Sequence, residues 1–135
     1  MRNETQLLVN IIFCKVLTME TVIKNILDQL HYRFEAIYGD RLSNMLLYGS
    51  QARGDADPES DIDVLVVLKG EVSPCDEIEI TIKDVAGISL ENDVVVSCVF
   101  VSEEQFENEH SPLLMNARRE GMVYEPIPLT LKHGH

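Results

Sequence analysis

Two short apolar runs, Met45-Leu46-Leu47-Tyr48 and Val64-Leu65-Val66-Val67-Leu68, are each bounded by Gly or Asp/Ser residues. Their length and flanks predict two buried strands. Only Gln51 to Ser60 lies between the Gly49-Ser50 turn and Asp61. Parallel neighbours usually need a dozen or more residues to cross over, so an antiparallel pair is expected. Upstream, Val22, Ile23, Ile26, Leu27, Leu30, Phe34, Ile37 and Tyr38 recur at three- and four-residue steps. This predicts a helix from Thr18, a capping residue, to Tyr38, with Gly39 at its end. Downstream, Ser73-Pro74 opens a helix to about Ala86, with Ile78, Ile82 and Val85 as its apolar face. The stretch Glu77 to Ile82 also alternates as a strand does. Asp93 to Val101 reads as a valine-rich strand, with Asp93, Val95, Ser97, Val99 and Val101 on one side. Ser102-Glu103-Glu104-Gln105 is a capping box before a short helix. Ser111-Pro112 opens another, closed by Gly121, and Met122-Val123-Tyr124 suits a short edge strand.

The ends of the chain carry less pattern. Leu7 to Leu17 is apolar but too short to span a bilayer, and Asn10 and Lys15 interrupt it. Residues 1–18 are read as an N-terminal extension, either an added helix or strand or a segment upstream of a start at Met19. Residues 19–125 form one domain, and 126–135 a loose tail.

Composition narrows the classes. A hydrophobic share of 45% is ordinary for a folded domain, and a net charge of −12 argues against direct nucleic-acid binding. The three cysteines, Cys14, Cys75 and Cys98, lack the spacing of a zinc site or disulfide framework, which fits a reducing cytoplasm.

The candidate chemistry lies between the two central strands. Residues two apart in a strand point the same way, so Asp61 and Asp63 present their carboxylates together. Such a pair repels itself unless a cation intervenes. Hard oxygen ligands with open positions suit Mg²⁺ shared with a substrate's phosphates. Gly49 allows a tight turn, and the Ser50 hydroxyl and following amides offer an anion site. Phosphate at one end and metal at the other describe a nucleoside triphosphate site. Against this stand an ordinary turn glycine and a solvated strand edge. Arg53 can neutralise triphosphate charge or lie solvated in its loop. His31, His110 and the tail histidines lack ligand spacing, and Arg118-Arg119 suits the exposed face of the last helix or a partner contact.

Gly49-Ser50, ten residues, then Asp61-x-Asp63, with Ala52-Arg53-Gly54 between, resembles the signature of the DNA polymerase β-like nucleotidyltransferases. The string GSQARGDADPESDIDVLVVL is similar to their minimal, single-domain MNT type, often paired with HEPN toxins. The resemblance implies an α/β (α+β) palm: a small mixed sheet with helices packed mainly on one face. It implies transfer of a nucleoside monophosphate, AMP from ATP, to a hydroxyl, with Mg²⁺ as two ions bridged by Asp61 and Asp63. A third carboxylate is expected on a later strand beside that pair. Asp93 is the candidate, with Glu91 as the alternative. Gly49, Ser50 and Arg53 would hold the triphosphate. A HEPN-type toxin is the implied partner and acceptor. A small hydroxylated acceptor such as an antibiotic, or neutralisation of a partner by contact alone, are the competing readings.

Overall fold

The structure, a computed structural model, describes residues 4–49 and 61–126, with the side chains of residues 4–20 excepted. Ser50, Arg53 and the connection between the central strands lie outside the described residues.

Helix α1 runs from Glu4 to Tyr38. It continues through Thr18, which is therefore an interior residue and not the expected cap. Residues 4–17 contain no Gly or Pro, so nothing in them breaks the helix. Its buried stripe, Ile26, Leu27, Leu30, Phe34 and Tyr38, follows the predicted period. Gly39, at φ +55°, starts a single 3₁₀ turn to Arg41. Strand β1 (Leu42–Tyr48) follows, then β2 (Ile62–Leu68), and the two pair antiparallel as expected. Helix α2 (Pro74–Asn92) carries the chain to β3 (Val96–Ser102), which lies parallel to β2. Two short helices, α3 (Glu103–Asn108) and α4 (Pro112–Glu120), precede β4 (Met122–Val123), antiparallel to β1. The sheet order is β3-β2-β1-β4.

The central strand β2 is buried on both sides. Its even-numbered residues join Phe34, Leu30, Ile88 and Phe100 in the larger core beneath α1 and α2. Leu65 and Val67 face the other way, with Leu46 and Val101, and are covered by Leu114 and Ala117 of α4. The main helices thus cover one face, and a thinner layer covers the other.

Helix α2 departs from its expected orientation. Its buried line is Glu77, Thr81, Val85 and Ile88, whereas Ile78 and Ile82 are exposed. The four-residue spacing is right, but the stripe is turned by one position. Burial of the polar members is made tolerable by local partners. Tyr38 Oη donates to Glu77 Oε1 at 3.1 Å, Ser73 N–H donates to Glu77 Oε2 at 3.3 Å, and Thr81 Oγ1 donates to the Glu77 carbonyl at 2.8 Å. The capping box at the start of α3 forms in full, with Ser102 and Gln105 bonding reciprocally.

Candidate functional site

Both central strands reach the site at one end of the sheet. Gly49 ends β1 at φ +74°, in the left-handed region where a side chain is strained. A Cβ built there would lie 2.7 Å from Asp63 Oδ2. Glycine is thus favoured by the backbone angle, and a side chain there would displace the Asp63 carboxylate packed against it. This goes beyond an ordinary turn glycine. Asp63 sits near the start of β2, level with Tyr48 of β1 on one side and Ser97 of β3 on the other. Asp61 lies exposed two residues earlier, just outside the strand. The Ile62 amide between them donates to Val95 O at 2.8 Å, which fixes the entry into β2.

The electrostatics reflect this crowding. Burial raises the Asp63 carboxyl above its ordinary range, and the Asp61 charge beside it raises it further. Tyr48 is raised as well, first by burial and then by Asp63 and Cys98. The Asp63 carboxylate is therefore costly without a counter-charge. The donor set fits a divalent cation: two hard carboxylates, with a Gly that leaves the space beside Asp63 open.

Asp93 stands elsewhere than expected. It is the C-cap of α2, exposed, in the left-handed conformation at φ 53°, and β3 begins only at Val96. The amides of Asp93 and Val94 return to the last turn of α2, so the strand pattern cannot extend back to Asp93. Ser97, Val99 and Val101 do share a side, and Ser97 is the residue opposite Asp63. Among the described residues, no three His, Cys, Asp or Glu side chains converge on a metal-sized site. Glu91 lies on α2, lining a groove between α1 and α2.

The sequence reading missed Tyr48 and Ser97 as neighbours of Asp63. The signal for Tyr48 was present, since an antiparallel partner of Asp63 must lie close to Gly49. Ser97 required the register of β3 on β2, which depends on distant residues. His31 and Arg118 have structural partners, and the tail histidines lie outside the described residues. His31 stacks on Tyr124 at 5.1 Å and pairs with Glu35 at 3.4 Å, and His110 is exposed. Arg118 donates to the carbonyls of Phe106 and Glu109, tying the end of α3 to α4, so it is half-buried and not a free surface charge. The thiol of Cys98 is pushed up to about 12 by burial, and this leaves it inert.

A four-stranded mixed sheet of this order, with a glycine turn and an acidic pair at one end of its central strands, is a nucleotidyltransferase palm. The chain belongs to the nucleotidyltransferase domain family, whose model matches residues 19–121. Over 72 residues it is 38% identical to a candidate protein adenylyltransferase of Methanocaldococcus jannaschii, covering 53% of this chain and 72% of that protein. The fold is shared with a candidate nucleotidyltransferase from Sulfolobus solfataricus (TM-score 0.53, 22% identity, 82% of each chain). A chain of a solved toxin–antitoxin complex with AMP-PNP also has this fold (TM-score 0.52, 17% identity, 77% of this chain and 73% of that one). Among the described residues, no helix is long and apolar enough to cross a membrane.

Proposed function

We propose that this nucleotidyltransferase moves AMP from ATP to a hydroxyl group of a partner protein, a toxin of the HEPN type. The observation that carries the reading is the Asp61/Asp63 pair, with Asp63 packed against Gly49 at the mouth of the two central strands. Its likeness to a candidate protein adenylyltransferase supports AMP and a protein acceptor. The fold shared with a toxin–antitoxin complex holding AMP-PNP supports a toxin as that acceptor.

In the proposed reaction the acceptor oxygen bonds to the α-phosphorus, the bond to the bridging α–β oxygen breaks, and pyrophosphate leaves. The acceptor hydroxyl gives up its proton to solvent. Charge grows on the phosphate oxygens, and bound Mg²⁺ would stabilise it. Asp61 and Asp63 would hold that ion. The Gly49 turn keeps the approach to Asp63 clear, and Ser50 and Arg53 are proposed to hold the triphosphate. Tyr48 stands level with Asp63 on the β1 side.

The test is a thermal-shift titration. ATP should raise the melting temperature only with Mg²⁺ or Mn²⁺ present, by an amount equivalent to about 2.7 kcal/mol at a hundredfold excess over Kd. Asp63→Asn should abolish the metal-dependent part while leaving the circular dichroism spectrum unchanged. An undiminished shift in that variant would refute the assignment.

A further inference from the structure

The strands beside Asp63 differ in what they offer an ion. β3 runs parallel to β2 and sets Ser97 level with Asp63. In-register neighbours in a sheet lie about 5 Å apart and point to the same face. The burial agrees, because Leu65 and Val67 of β2 share one cluster with Val99 and Val101 of β3. The odd-numbered residues of both strands therefore face the same way, Asp63 and Ser97 among them. The next such position along β3 is Val99, which has no donor oxygen. Asp93 lies before β3, capping α2, and no third acidic, His or Cys side chain joins the pair among the described residues.

Charge then limits the occupancy. The triphosphate's own oxygens would complete an ion on its side of the Asp61/Asp63 pair, whereas an ion on the acceptor side must draw further anionic oxygen from the protein. On β3, the position level with Asp63 holds a neutral hydroxyl.

We infer that Ser97 occupies the third ligand position of the site and leaves it one carboxylate short, so that the nucleotide-loaded protein retains one divalent ion tightly and not two. This inference rests on the metal-and-nucleotide reading above. Its consequence is a separation of two steps. One ion suffices to dock the triphosphate on Asp61 and Asp63, whereas activation of the acceptor hydroxyl lacks a pre-loaded ion. Nucleotide binding then proceeds without the partner, and transfer stays slow until the partner's own groups complete the site.

The test counts Mn²⁺ bound per protein chain, with a non-hydrolysable ATP analogue, by equilibrium dialysis and by the paramagnetic signal of free Mn²⁺. Wild type should retain one ion at submillimolar Mn²⁺, and Ser97→Ala should also retain one. Ser97→Asp should retain two. It should also melt lower than wild type in EDTA, because a third carboxylate is then unbalanced, and gain more than wild type on adding Mn²⁺. Two ions on wild type would overturn the inference while leaving the metal-and-nucleotide reading intact. No ion on wild type would overturn both. One ion on a folded Ser97→Asp would show that position 97 is not the third ligand position, and Ser97→Glu repeats that arm should the aspartate variant fail to fold. Loss of the ion in Ser97→Ala would make Ser97 a ligand of the first ion and likewise overturn the inference.

Discussion

Asp63 combines partial burial, a neighbouring carboxylate and a glycine pressed against it, and each has a measurable consequence. Its carboxyl titrates above the ordinary range in the folded chain, for burial first and Asp61 second. Between the ordinary value, about 3.9, and the raised one, the folded state binds more protons than the unfolded state. Without metal, stability therefore falls as pH rises through that interval, and the full penalty is present above it. Metal-free Asp63→Asn should melt higher than wild type at pH 7, with the gap closing as pH falls below the ordinary carboxylate range. A constant gap across a pH series in EDTA would contradict this. Gly49→Ala tests the same contact from the other strand. The left-handed angle alone costs about 1–2 kcal/mol, and the new Cβ must push Asp63 Oδ2 aside. Urea unfolding should show at least that loss, and the metal-dependent ATP shift should shrink with it. The Gly49 to Asp63 pattern was legible in the sequence because every part of it is local. Two strand ends, a turn and a two-residue spacing suffice.

At the scale of elements, α2 shows what periodicity leaves undetermined. The sequence offers Ile78, Ile82 and Val85 as an apolar stripe, yet the helix buries Glu77 and Thr81 with Val85 and Ile88. Hydrophobicity alone favours the isoleucines. The difference lies in Tyr38, thirty-nine residues away, whose hydroxyl meets the Glu77 carboxylate. Tyr38→Phe should keep the ring packing against Phe34 and Phe100 but remove that donor. With the Tyr38 hydroxyl gone and the Ser73 amide still donating, the buried carboxylate should cost about 1–3 kcal/mol in chemical denaturation. Adding Glu77→Gln should recover part of the loss, since a neutral amide is cheaper to bury. No recovery would show that the ring, and not the hydroxyl, carries the contribution of Tyr38. Thr18 and Asp93 fail for related reasons. A good capping residue does not stop a helix whose preceding residues all tolerate it, and a strand-like valine run does not reveal that its first residues close a helix.

For the whole molecule, the antiparallel pairing of the two central strands followed from the sequence, because a ten-residue connection permits few topologies, and the fold class followed from the family resemblance of the stretch around Gly49 and Asp63. Ser97 as a neighbour of Asp63 did not follow, since it depends on how β3 registers against β2 after nineteen residues of intervening helix. A net charge of −12 favours a protein acceptor over a nucleic acid. Transfer through the Asp61/Asp63 pair is the step to test. The most direct measurement incubates the protein with α-labelled ATP, Mg²⁺ and purified HEPN-type toxin, and follows label on the toxin together with released pyrophosphate. Wild type should label the toxin and release pyrophosphate in equal amounts, and Asp61→Ala, Asp63→Ala and the double variant should each lose both signals. Losses from residues acting as one unit need not add. If the double variant instead labels the toxin as fast as wild type, the acidic pair is not the catalytic centre and the account fails.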